Sequence, residues 1–146
     1  MTFLANNYNR NKISFKKGIG SYLVATNGKK YLDFCSGIAV NSLGHANPRL
    51  VKALCKQAKK VWHVSNAFTI PEGEILAKKL VKKTFADSVI FQNSGTEATE
   101  VAIKVARRYF YSIGKPKKNR ILCVKNLFHG RTISAIFASG LKKMTE

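Results

Sequence analysis

The stretch 92–100, QNSGTEATE, gathers small and hydroxyl-bearing side chains between an apolar run, SVIF, and a helical pattern, VAIKVARRYF. Ser94 is placed to cap that helix and Glu97 follows three residues on, the spacing of a capping box, which is enough to account for both residues. The same residues could do a second chemistry. Gly95 lets a ligand approach the backbone, the first helical turn presents unpaired N–H groups and a partial positive charge, and Thr96 adds a hydroxyl donor. Together these suit an anion, phosphate above all. The stretch follows what reads as a buried strand, and ligands of open α/β sheets bind at the carboxyl ends of strands. Capping and phosphate binding both stay open on the residues alone. The chain has neither G-x-x-x-x-G-K-[ST] nor G-x-G-x-x-G, so neither a nucleoside-triphosphate loop nor a dinucleotide fingerprint is supported.

A second loop, 126–132 (NLFHGRT), follows another apolar run, RILCVK, and should open on the same sheet edge as the first. Phe128 can be core, or can lie flat against an aromatic cofactor ring. Arg131 can cap its surroundings or fork onto a substrate carboxylate. His129 reads as a general base, a metal ligand or a structural histidine. His45 and His63 are far away in sequence, which disfavours a metal site. Asp33 and Asp87 are the only aspartates, and no Ser-His-Asp arrangement or paired acid suggests itself.

The elements that must carry these loops can be read from periodicity. Asn27-Gly28 tolerates the positive φ angles of a tight turn, so SYLVATNGKKYLDF predicts a hairpin, roughly 21–26 with 29–34. A two-glycine loop follows. Asn47-Pro48 then predicts a helix N-terminus, with Leu50, Val51, Leu54, Ala58, Val61 and Trp62 on one face to about residue 62. A second helix starts at Pro71, with Ile75, Leu76 and Leu80 following. From residue 88 the pattern becomes strand (SVIFQ), helix (about 97–112), strand (RILCVK), short helix (TISAIFAS) closed by Gly140, a βαβα unit of a parallel sheet. The expected class is α/β. It comprises a hairpin-and-helix segment over 1–70 and the start of a parallel-sheet domain over 71–146. Two parallel strands cannot cover both faces of a sheet or satisfy its edges, so the chain is expected to be the front of a larger domain.

Composition bounds the alternatives. The 146 residues are 45% hydrophobic, enough for a core. Lys and Arg number 26 against 7 acids, a net +19 that raises nucleic acid, anionic membrane or anionic small molecules as partners. The lysines occur in small groups, at 16–17, 59–60, 78–79, 82–83 and 115–118, broken by apolar residues at helical spacing, which reads as solvated helix faces. Cys35, Cys55 and Cys123 lack metal-like spacing and read as reduced core thiols. The first seventeen residues have no apolar signal core. Their lack of acids suits a transit peptide, but the strand pattern starts too early to leave much to cleave, so a cytoplasmic location is expected.

NSGTEATEVAIKVARRY followed by FHGRT resembles the class III (ornithine-type) aminotransferases that use pyridoxal 5'-phosphate. YLDFCSGIAVNSLGH, NP and VWHVSNAF resemble the acetylornithine branch of that family, in consistent order from about residue 15 onward. The resemblance implies a fold type I architecture whose parallel-sheet large domain would be incomplete here. It implies a cofactor phosphate held by Gly95 and Thr96, a pyridine ring stacked on Phe128, and a substrate carboxylate met by Arg131. It also implies an amino-acid substrate, 2-oxoglutarate as acceptor and a homodimer, with no nucleic acid, membrane or metal. Where the family often has Asn in GTEAN, this chain has Thr99, for which a local packing difference is expected. The family's Schiff-base lysine and the acid facing the pyridine nitrogen have no counterpart in this sequence and would lie beyond residue 146. The chain alone is therefore expected to be inactive, with no catalytic residue of its own.

Overall fold

Asn27 and Gly28 turn the chain as their residue types require. Gly28 takes φ +86°, its N–H donates to Ala25 O at 2.9 Å, and Asn27 Oδ1 accepts from Lys29 N at 3.0 Å. The strands so joined, β2 (Tyr22–Ala25) and β3 (Lys30–Leu32), pair antiparallel with Tyr22 opposite Leu32 and Val24 opposite Lys30. A third strand, β1 (Phe15–Ile19), pairs with the other edge of β2. Its Lys-Lys-Gly interior gives no clean alternation, and its register shifts between Phe15 and Lys17, so the sequence carries little sign of it. These elements belong to the first of two units, Met1–Ile70 and Pro71–Glu146, in a computed structural model that describes residues 3–141. The chain is mixed α/β.

Beyond the sheet, Ser36–Ala39 forms one turn, α1, whose residues all have positive φ, including Ile38 at +63°. Left-handed backbone costs an L-residue about 1–2 kcal/mol. What holds it is Asp33, whose Oδ1 accepts from Cys35 N at 3.0 Å and Ser36 N at 2.9 Å. The other oxygen, Oδ2, lies 2.7 Å from His45 Nε2. His45 is brought there by a backbone bridge to Gly20, with N–H···O distances of 2.8 and 2.9 Å in the two directions. It packs over Gly18, where an added Cβ would fall 2.6 Å from the His45 side chain.

The hydrogen bond from His45, then that from Ser36, holds the Asp33 carboxyl below its ordinary value of 3.8. A depressed carboxyl stabilises the fold above the unfolded pKa, and that stability is lost as pH falls through the folded one. Acid unfolding should therefore show the parent more stable than Asp33→Asn at neutral pH, with the two curves converging below pH 3.8. A gap that persists unchanged at low pH would remove the carboxylate from this role.

The helix α2 (Pro48–Ala58) begins as expected: Asn47 Oδ1 accepts from Arg49 N at 3.0 Å and Leu50 N at 3.4 Å, and Pro48 occupies the first position. It stops at Ala58 rather than at about 62. Lys59 leaves helical geometry with ψ +3°, and the Trp62 indole N–H donates to Ala58 O at 2.6 Å, satisfying a terminal carbonyl that another turn would have used.

In the second unit, α3 (Pro71–Val81) carries Glu72 and Glu74 in its first turn and Lys78 and Lys79 in its last, each matching the helix dipole. α4 (Gly95–Ser112) and α5 (Ile133–Ser139) touch one another. Gly140 closes α5 at φ +57°. The runs at 88–92 and 120–125, expected as parallel strands, form no strand, and the sheet among the described residues is antiparallel. A continuous apolar run records a demand for burial on both faces, whereas a strand also needs a neighbour to hydrogen-bond. Ile90, Leu122 and Val124 are accordingly exposed.

The cysteine expectation is also corrected. All three are free, but Cys35 and Cys55 are exposed and Cys123 is only half-buried. Among the described residues the buried hydrophobic side chains are Ala25 and Ala135. The lysines of the grouped runs are exposed, as solvated faces would be. Among the described residues no helix is long and apolar enough to cross a membrane, and no cluster of three His, Cys, Asp or Glu could hold a metal.

Candidate functional site

The first turn of α4 satisfies its cap and leaves two donors over. Ser94, extended at φ −149°, accepts from Glu97 N at 3.3 Å and donates to Glu97 Oε2 at 2.9 Å. Asn93 Nδ2 donates to Glu97 Oε1 at 3.3 Å. The Ser94 bond, then the Asn93 bond, holds the Glu97 carboxyl below its ordinary range. Glu97 is thus occupied as a capping partner. The N–H groups of Gly95 and Thr96 have no acceptor among the described residues, as the first donors of a helix must when no ligand meets them. Gly95 faces open space, since a Cβ there would meet nothing within 4 Å.

The 126–132 turn is fastened onto this helix start by threonine hydroxyls. Thr99 Oγ1 lies 3.1 Å from Gly95 O, one turn back, and 2.9 Å from His129 O across the gap. At the position where the family often has Asn, this threonine makes a direct bond to the neighbouring turn. Thr96 Oγ1 lies 3.0 Å from Thr132 Oγ1 and accepts from Thr132 N at 3.4 Å. Thr132 Oγ1 donates to Glu100 Oε1. The approach depends on Gly130, which is buried at φ +129° with its missing Cβ pointing into the Thr96 side chain.

Gly95, Thr96, Phe128 and Arg131 therefore line one cavity of about 470 Å³, together with Thr99, His129 and Gly130. Phe128 presents its ring with 63% of its surface exposed, and the Arg131 Cζ stands 6.0 Å from the ring centroid. His129 Nε2 is buried without a hydrogen-bond partner among the described residues. A larger cavity of about 740 Å³ lies among Ile103, Leu122, Ile133 and Phe137. It is a gap between α4, α5 and the 120–125 segment, and the first two residues of the seven-residue α5, Ile133 and Ser134, lie on its wall. The smaller cavity is the one that brings Gly95, Thr96, Phe128 and Arg131 together.

Thr132 and Glu100 were not apparent as site residues. A signal existed, since Thr96 and Glu100 lie four apart and share one face of α4, but the partner that joins them arrives from 36 residues away.

The arrangement fits a phosphorylated aromatic cofactor: two unpaired N–H groups at a helix start, open space over Gly95, and an exposed aromatic ring on the same cavity wall. A family model described as "Aminotransferase class-III" matches residues 3–146. An acetylornithine aminotransferase of Agrobacterium fabrum is 52% identical over 98% of this chain and 36% of its own length. Among solved structures, N-acetylornithine aminotransferase from Stenotrophomonas maltophilia matches 84% of this chain and 34% of that chain, with TM-score 0.76 and 40% identity. The Toxoplasma gondii ornithine aminotransferase, described with partial occupancy of PLP at its active site, matches 96% of this chain and 35% of that chain, with TM-score 0.83 and 28% identity. The chain spans about a third of the length of the relatives it matches. With its helix start, its FHGRT turn and the family match running from residue 3 to 146, the chain belongs to the class III aminotransferases.

Proposed function

We propose that this chain supplies the cofactor-phosphate cradle, and one substrate-carboxylate contact, of an acetylornithine aminotransferase. In this reading the whole protein converts N-acetylornithine and 2-oxoglutarate to N-acetylglutamate semialdehyde and glutamate, a step of arginine biosynthesis, and works as a homodimer in the cytoplasm. Residues from Pro71 onward begin the large cofactor domain, and 1–70 contribute the small-domain segment and dimer contacts. The observation that carries the reading is that Gly95, Thr96, Phe128 and Arg131 share one cavity.

The N–H groups of Gly95 and Thr96 hold the phosphate of pyridoxal 5'-phosphate, where the helix dipole favours negative charge. Phe128, whose ring is exposed on the same cavity wall, would lie against the pyridine ring and keep water from one of its faces. Arg131 forks onto a carboxylate of the amino-acid substrate and sets its orientation. When bound, the cofactor supplies the electron sink for amino-group transfer. Thr99, through its bond to His129 O, keeps the ring-bearing turn in register with the phosphate-bearing one.

The substrate assignment follows the relatives at 52% and 40% identity, both of which are acetylornithine enzymes. It is tested by glutamate formation from 2-oxoglutarate in the whole protein, with N-acetylornithine, ornithine, 4-aminobutyrate and succinyl-diaminopimelate as competing donors. N-acetylornithine is expected to have the highest kcat/KM. Preference for another donor would leave the family in place and overturn the substrate.

A further inference from the structure

Three oxygen-bearing side chains form a line across the join between α4 and the turn before α5. The line runs from Glu100 through Thr132 to Thr96. Its direction follows from proton counting. A hydroxyl has a single proton. Thr132 gives its proton to Glu100 Oε1, so in the 3.0 Å contact between the two threonine hydroxyls Thr96 must be the donor. Thr96 Oγ1 in turn accepts the Thr132 N–H at 3.4 Å. The Thr96 hydroxyl proton is therefore spent inside the protein. An anion over the helix start would meet the N–H groups of Gly95 and Thr96 and no threonine O–H.

We propose that Glu100 is a positioning residue: by accepting from Thr132 it sets the direction of the hydroxyl line and pins the Arg131–Thr132 turn to the first turn of α4. It does not line the cavity of Gly95, Thr96, Phe128 and Arg131 and acts through Thr132 and Thr96. Its value to a phosphorylated ligand rests on the reading above, but the pinning itself does not.

The test compares Glu100→Ala with Glu100→Gln in the whole protein. Both remove the charge, and only Gln keeps an oxygen that accepts from Thr132. Amide hydrogen exchange at Thr132, without cofactor, is expected to speed up about tenfold or more in Glu100→Ala and to stay within about threefold of the parent in Glu100→Gln. With pyridoxal 5'-phosphate added, the ellipticity of the bound ring should fall in Glu100→Ala and be restored in Glu100→Gln, a signature that a general loss of stability would not separate. Should Glu100→Ala fail to fold, the pair Thr132→Val and Thr132→Ser makes the same comparison at Arg131, with faster exchange expected for Val alone. Unchanged exchange in Glu100→Ala, or equal acceleration in Glu100→Gln, overturns the proposal. A parent protein with no ring ellipticity would instead overturn the cofactor reading, while the exchange measurement still decides the role of Glu100.

Discussion

Gly130→Ala is expected to destabilise the second unit by about 2–5 kcal/mol, adding the cost of left-handed backbone in an L-residue to that of overpacking. Gly130 has φ +129°, a region that side chains rarely adopt. Its new methyl would also fall on the Thr96 side chain and 3.0 Å from the Thr96 Cα. Thr96 cannot swing aside without leaving Thr132, and its Cα belongs to the first turn of α4. The displaced atoms are those that would carry the phosphate, so cofactor retention should fall together with stability. Gly114→Ala is the control. Gly114 also has positive φ, at +73°, but a methyl there meets nothing within 4 Å. It should cost only the backbone part, about 1–2 kcal/mol. Urea unfolding of the two variants separates the terms. Equal losses would mean that the FHGRT turn does not press on the helix start.

Arg131→Ala is expected to lower kcat/KM for the proposed amino-acid substrate about tenfold to a hundredfold, because hydrogen bonds to a charged group are worth about 1.5–3 kcal/mol. Retention of pyridoxal 5'-phosphate should change by less than about threefold, since in the proposed reading other residues of the same cavity, Gly95, Thr96 and Phe128, would hold the phosphate and the ring. Arg131→Lys should fall between, keeping the charge and losing the two-pronged geometry. Steady-state kinetics and cofactor titration on the same preparations check both halves. Parallel losses in the two measurements would take Arg131 out of the substrate role. The wall it shares with Phe128, 6.0 Å from guanidinium carbon to ring centroid, is what ties the two predictions together.

How much of this could be read from the residues depends on the range of the interaction. The Asn27-Gly28 turn, the Asn47 cap with Pro48 behind it, the Ser94–Glu97 pair and the Gly140 stop all work within four residues, and all are where their types place them. The starts of α2 to α5 were legible to within two residues for the same reason, whereas the left-handed turn α1 falls where a loop was expected. The end of α2 was less so, because Trp62 reaches back to Ala58 and apolar spacing alone does not show a side chain taking a backbone carbonyl. The FHGRT and SGTEA segments were legible as a pair because each follows a buried apolar run, which put both on one edge, and the family resemblance gave them their roles. Their chemistry as separate loops left capping, core packing and ligand binding equally open.

Residue types and local spacing were thus enough to set the helices, the hairpin turn and the two loops that bear the candidate site. Folding in three dimensions settled the pairings between distant segments: β1 on β2, His45 on Gly20 and Asp33, Thr99 on His129, and Glu100 with Thr96 through Thr132. It also left the 88–92 and 120–125 runs outside any strand. A turn or a cap is satisfied by groups that the chain always keeps within a few bonds of each other. A ladder partner or a hydroxyl line is satisfied only by whatever the rest of the fold brings within 3 Å.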